Sequence, residues 1–228
     1  MLAQTAARTA SVPSARAARP VPAVGPRSTS NAIEFMGAPM PFARDAEIYG
    51  ENEPAEYIYK VISGTVRTYK VLNDGRRQIG AFYLPGDTFG LEVGDVHTFS
   101  AEAIVDCKVL VIRRSSVVGL AARDTAVARE LWAMTARELQ RVQDHILLLI
   151  KTAQERVAGF LLEMAGRSPK CDEISLPMSR QDIADYLGLT IETVSRTLTQ
   201  LENLAAIAVP TSRHIVLRNR GALNRLNR

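Results

Sequence analysis

Cysteine is nearly absent from this chain, with two in 228 residues, Cys107 and Cys171. Neither lies in a Cys-x-x-Cys pair or a Cys/His cluster, which excludes the ligand sets of a structural zinc or iron–sulfur site. So few thiols suit a reducing compartment. Histidine is equally sparse: His97, His145 and His214 are far apart in sequence and cannot supply the clustered ligands of a metal-dependent barrel enzyme. No apolar run reaches the roughly 18 residues of a membrane span; the candidate Ile146 to Ile150 is only five long. No nucleophile–base spacing and no glycine-rich phosphate loop is present, and Asn73-Asp74-Gly75 reads as a turn. The expectation is a chain that is neither an enzyme nor a membrane protein and carries no metal or cofactor. Acid is missing from residues 1–30, which hold four Arg and no apolar core of a secretory signal. A disordered basic tail is expected there.

What the chain does have is an uneven distribution of charge. Residues 31–150 carry 13 basic and 16 acidic side chains, whereas residues 151–228 carry 11 basic and 8 acidic ones. The C-terminal part is therefore the one suited to a polyanion. The texture also changes along the chain. From Ala46 to Ile112 apolar and polar residues alternate, punctuated by Ser63-Gly64, Asn73-Asp74-Gly75 and Pro85-Gly86-Asp87, which predicts short antiparallel strands in a barrel or jelly roll. From Ser116 to Ile150 there is no Pro, and Leu139, Val142, Ile146 and Leu149 follow 3-4-3 spacing, with Trp132 on the N-terminal extension of that seam. The spacing predicts one long helix with an apolar face for a second copy of the chain; the alternative is a single wide stripe facing its own core. Thr152 and Glu155 form a capping-box pattern that opens the next helix, so a hinge is expected near Lys151. These boundaries give four regions: a tail over 1–30, a β-roll over 31–114, a dimerisation helix over 115–151 and a DNA-binding unit over 152–228. The fold class is α+β.

The C-terminal region holds the chemistry. Ser179 is placed to cap a helix over "RQDIADYLG", Gly188 to end it, and Thr190 to cap a second helix. Helix, short glycine turn and helix at this spacing form a helix-turn-helix. In the second helix Val194, Leu198 and Leu201 mark the buried stripe. That leaves Ile191, Glu192, Ser195 and Arg196 on the outward flank near its N-terminus, the end that enters a major groove. Arg pairs with guanine O6 and N7, Glu accepts from cytosine N4, and an apolar Ile meets a thymine methyl. The bland reading of Glu192 and Arg196 is a surface ion pair one helical turn apart. "AAIAVPTSRHIVLRN" then reads as a hairpin wing. Ser179, Arg180, Thr190, Thr193, Ser212 and Arg213 are the candidate phosphate contacts. Cys171 lies just upstream of this unit: it is either an ordinary loop thiol or a redox-tunable one, whose oxidation would place negative charge near a phosphate.

"VISGTVRTYKVLNDGRRQIGAFYLPGDTFG", the long helix and "MSRQDIADYLGLTIETVSRTLTQLE" together resemble the CRP/FNR superfamily of bacterial transcription regulators, over about Phe42 to Leu223. "GLTIETVSR" is similar to the FNR and FixK branch, in which a Glu, a Ser and an Arg at the places of Glu192, Ser195 and Arg196 read a TTGA half-site. Ile191 stands where the cyclic-AMP branch has Arg. No Cys precedes Cys107, so the iron–sulfur sensor of the FNR type has no ligands here. In "GDTFGLEVGDVHTFSAEA", Glu92 can stand for the acid of the cyclic-nucleotide branch, but Phe99-Ser100 replaces its Arg-Ser pair. The resemblance thus implies a FixK-type cytoplasmic activator. It implies a homodimer on duplex DNA at a TTGA-N6-TCAA-like palindrome, recruitment of RNA polymerase, and control of low-oxygen and nitrogen-fixation genes. A cyclic-nucleotide-responsive regulator of the same fold is the alternative.

Overall fold

The computed structural model describes residues 33–170 and 172–227. The N-terminal tail over 1–30 and Cys171 lie outside the described residues.

The alternating segment builds two four-stranded antiparallel sheets. One has the order β1 (Ala38–Phe42), β8 (Cys107–Arg113), β3 (Tyr57–Ser63), β6 (Thr88–Phe89). The other has the order β2 (Glu47–Tyr49), β7 (Ser100–Ala103), β4 (Val66–Val71), β5 (Arg77–Tyr83). The β-roll expected from sequence is thus present, and the run from Ala101 to Ile112 is two strands, β7 and β8, one in each sheet. Inward residues of both sheets, among them Tyr49, Tyr59, Val61, Val66, Ala81 and Phe89, form the β-roll core. Burial of such surface is the main driving force for closing the two sheets. Gly64, with φ +84°, makes the β3–β4 turn, and a Cβ there would sit 2.4 Å from Cys107 Cβ, so no side chain fits.

The helical stretch expected as one piece over 115–151 is two helices: α1 (Arg114–Ala121) and α2 (Thr125–Leu149). The break comes from Asp124. Its backbone is extended (φ −126°, ψ 109°), and its carboxylate accepts from Ala126 N and so starts a new helix. α2 is 25 residues long, about 37 Å at 1.5 Å per residue. It buries Val127, Met134 and Leu148 against its own protomer. Its other side leaves Trp132, Leu139, Val142 and Ile146 exposed at 76%, 58%, 47% and 56%. Leu149 is half-buried at the end of that line. The described residues therefore show two apolar faces, not one wide inward stripe.

α3 (Ala153–Arg167) follows after three residues, with the Thr152/Glu155 capping box formed in both directions. Next come β9 (Glu173–Ser175), α4 (Arg180–Leu187), α5 (Ile191–Asn203), β10 (Ile207–Thr211), β11 (His214–Leu217) and α6 (Arg220–Leu226). The hairpin that sequence suggested is present as β10 and β11, and β9 pairs with β11, so the wing is a three-stranded sheet. The short apolar stretch at Ile174 is the buried residue of that extra strand. Ile79, Phe82 and Ile104 of the β-roll share one continuous core with Phe160, Leu161, Tyr186 and Leu198 of the C-terminal unit. Among the described residues, no helix is long and apolar enough to cross a membrane.

Candidate nucleic-acid interface

Local chemistry alone explains how α4 and α5 meet. The Ser179 hydroxyl accepts from Asp182 N at 3.1 Å, and Asp182 accepts from Ser179 N at 2.9 Å, closing a capping box. Gly188 ends α4 in the left-handed region (φ 61°, ψ 40°), where glycine carries no steric penalty. Thr190 then caps α5 through Thr193 N. Val194, Thr197, Leu198 and Leu201 are buried and fix the rotation of α5 about its axis. As a result Ile191, Glu192, Ser195 and Arg196 are all exposed on its first two turns. The structure brings together the four side chains expected to face bases.

The surface ion pair considered from sequence is not formed: among the described residues no Glu192–Arg196 contact falls within ion-pair range. The Glu192 carboxyl is held below its ordinary range first by its own backbone N–H and then by the Thr190 side chain, with a smaller contribution from Arg196. Glu192 therefore stays ionised at the positive end of the helix dipole. The neighbouring Arg196 guanidinium is exposed and has no hydrogen-bond or ion-pair partner among the described residues.

The expected phosphate contacts fare unevenly. Ser212 and Arg213 are exposed in the turn between β10 and β11, and Thr193 is half-buried beside the exposed group on α5. Arg180 is half-buried; its Nη1 has no partner among the described residues, and burial lowers its pKa. That buried donor is out of a phosphate's reach unless the side chain swings outward. The Thr190 hydroxyl lies 3.1 Å from that of Thr193 and is engaged in the cap. Ser179 departs most from expectation: its hydroxyl donates to Asp182 Oδ2 at 2.8 Å, and its backbone N–H goes to the same oxygen. With one O–H donor already spent, it has none for a phosphate.

A second feature is a cavity of about 420 Å³ between β4, β5 and α2, bordered by Thr68, Gln78, Glu92, Phe99, Glu138 and His145. Among the described residues its charged lining is two carboxylates, with no Lys or Arg. Glu92 binds buried His97 through Oε1 at 3.2 Å, and its Oε2 is buried without a partner among the described residues. Phe99 packs over Gly80, where a Cβ would lie 3.0 Å from its ring. A cyclic phosphate would therefore meet carboxylates and an aromatic ring, not a guanidinium. Cys107 is buried, and burial raises its thiol pKa, which makes it unreactive.

Comparison with known proteins agrees with this geometry. A family model described as a Crp-like helix-turn-helix domain matches residues 155–226, and one described as a cyclic nucleotide-binding domain matches residues 39–124. The nitrogen fixation regulation protein FixK of Azorhizobium caulinodans is 52% identical over 201 residues, covering 86% of this chain and 81% of its own. The chain belongs to the FixK-type regulators of the CRP/FNR family. The FixK protein of Rhizobium meliloti is 38% identical, with 91% and 90% of the two chains covered. The solved structure of FixK2 from Bradyrhizobium japonicum superposes with a TM-score of 0.81 at 56% identity, over 84% of this chain and 98% of that one. This FixK-type chain is a DNA-binding transcription regulator, and the α4–turn–α5 unit is its helix-turn-helix.

Proposed function

We propose that this regulator binds as a homodimer to a TTGA-N6-TCAA-like palindrome and activates low-oxygen and nitrogen-fixation genes in a bacterial cytoplasm. The observation that carries the reading is the exposed, outward set of Glu192, Ser195 and Arg196 at the start of α5, within "GLTIETVSR". Arg196 pairs with guanine and Glu192 with cytosine, Ser195 positions a base edge, and Ile191 covers a thymine methyl. Arg180, Thr193, Ser212 and Arg213 hold phosphates. The half-site centres of such a palindrome are about 10 base pairs, or 34 Å, apart, the separation at which two-fold-related helices enter successive major grooves. The exposed line of Trp132, Leu139, Val142 and Ile146, ending at Leu149, supports the pairing of two copies through α2. A surface of the dimer then recruits RNA polymerase.

The test is selection of bound sequences from random duplexes, with the wild type and with Arg196→Ala. The wild type is expected to return an inverted TTGA repeat, and the variant a repeat degenerate at the guanine. Recovery of no repeat by the wild type would end this reading. The family match over residues 39–124 keeps a cyclic-nucleotide response as the second reading. Titration with a fluorescent cyclic nucleotide decides it, and the carboxylate-lined cavity favours no binding.

A further inference from the structure

Two guanidinium groups of the β-roll reach across to the helix-turn-helix. Arg67 on β4 donates through Nη1 to Asp182 Oδ1 at 2.8 Å, and Arg77 on β5 donates through Nη2 to the same oxygen at 2.7 Å. Arg77 Nε also reaches Asp185 Oδ2 at 2.8 Å, one turn further along α4. Arg67 is itself held by Glu102 of β7, at 2.9 Å from Nη2. Asp182 is 3% exposed and Arg67 9%. The Asp182 carboxylate is thus divided: Oδ2 closes the cap of α4 with Ser179, and Oδ1 takes both arginines. The same aspartate that starts the first helix of the reading unit ties that helix to the β-roll.

Around this cluster the two bodies share an apolar core that includes Phe82 and Tyr186, whose rings lie 5.1 Å apart. Apolar burial supplies adhesion but no direction. Forked, charge-assisted hydrogen bonds supply direction, because a guanidinium meets a carboxylate in few geometries. A buried ion cluster also adds little net stability over an apolar one, so its clearest contribution is to select one arrangement. The chain link between α2 and α3 is only three residues, Ile150 to Thr152. It sets how far the reading unit sits from α2 and leaves the swing about that link to be fixed elsewhere. Arg156 ties the link to the C-terminal end of α4, donating to Lys151 O at 2.8 Å and to Leu187 O at 2.9 Å; the arginine cluster holds the N-terminal end of the same helix and is placed to fix the swing.

We propose that Arg67 and Arg77 are positioning residues for DNA recognition. Through Asp182 and Asp185 they set the angle of the helix-turn-helix on the β-roll, and so the separation of the two recognition helices in the dimer. The proposal rests on the homodimer reading above. It separates two properties of binding: base choice belongs to α5, and tolerance of half-site spacing belongs to the arginine cluster.

The experiment measures Kd for inverted TTGA repeats with spacers of six and eight base pairs, and for a six-base-pair repeat with scrambled half-sites. Two extra base pairs rotate one half-site by about 70° relative to the other. The proteins are the wild type, Arg77→Met, the double variant Arg67→Met/Arg77→Met and its conservative counterpart Arg67→Lys/Arg77→Lys. The wild type is expected to prefer the six-base-pair spacer by roughly tenfold or more. The methionine variants should lose most of that preference while still rejecting scrambled half-sites, and the lysine variant should recover part of it. Unchanged spacer preference in the methionine variants overturns the proposal, because a cluster that only adds stability would leave spacing alone.

Spin labels at Asn73→Cys and Gln200→Cys, both exposed positions, give a second readout in a Cys171→Ser background that does not depend on DNA. The distance within a protomer should be sharply distributed in the otherwise wild-type protein and broader with Arg77→Met. An equally sharp distribution in both overturns the proposal, even if the double variant does not fold. A wild type that ignores every TTGA repeat refutes the palindrome reading instead, and the label distances still judge the cluster.

Discussion

Arg196 is the side chain whose loss should be most specific. It is exposed, has no partner among the described residues, and sits one turn from Glu192 on the first two turns of α5. Arg196→Ala should cost about 1–3 kcal/mol against the correct guanine and leave binding to a site altered at that base nearly unchanged. Competition gel shifts with single-base variants of the half-site measure this. A different residue governs pH behaviour. His145 on α2 stacks on Tyr186 with ring centroids 4.1 Å apart, and burial lowers its pKa to about 4. The unfolded chain therefore binds a proton on this side chain more readily than the folded one does, and stability falls as pH drops from about 6.5 towards 4. His145→Gln should flatten that part of a stability-versus-pH curve obtained from urea melts. The exposed flank of α5 was legible in sequence because rotation about a helix follows from its apolar spacing. The state of Ser179 was not: a good N-cap and a phosphate donor look alike until the partner of the hydroxyl is seen.

At the scale of elements, caps and turns were read correctly because their chemistry is local. Thr152, Ser179, Thr190 and Gly188 each act within four residues of themselves. Gly188→Ala tests one of them. A Cβ there would find ordinary contacts, 3.5 Å from Arg156 Nη1 and 3.7 Å from Leu149 Cδ2. The cost is then backbone strain alone, about 1–2 kcal/mol, read as a lower melting temperature with base choice retained. What escaped the sequence is equally telling. The break at Asp124 carries no Gly or Pro, and in a stretch rich in helix formers a lone capping Asp is a weak signal. β9 is three residues long and exists only because β11 lies beside it. α6 is likewise short, started by Asn219 accepting from Ala222 N at 2.9 Å, and its Leu223 is fully buried.

For the whole molecule, the seam on α2 and the arginine cluster are the features that matter. Leu139→Glu/Ile146→Glu replaces two exposed apolar side chains with charge, which should leave the protomer folded and separate the dimer. Sedimentation should then show a single-chain mass, and the palindrome affinity should fall towards that of one half-site. Binding by the wild type should weaken steeply with salt, with a slope of log K against log salt of about −0.9 per phosphate neutralised. The seam could be read from sequence since it repeats along one helix. The link from Arg67 to Asp182 could not, being a contact between residues 115 positions apart. The short link between α2 and α3 has a consequence of its own. Both of its ends are pinned, Ile150 by the end of α2 and Thr152 by its capping box, so it has no slack in which to hide an insertion or a deletion. A single added alanine in this non-helical link would lengthen it by up to about 3.5 Å and shift the reading unit relative to α2, leaving two well-folded halves out of phase with the double helix. Evolution of such a regulator is thus free to vary its loops in length, but this joint behaves as a ratchet tooth that moves by whole steps or not at all.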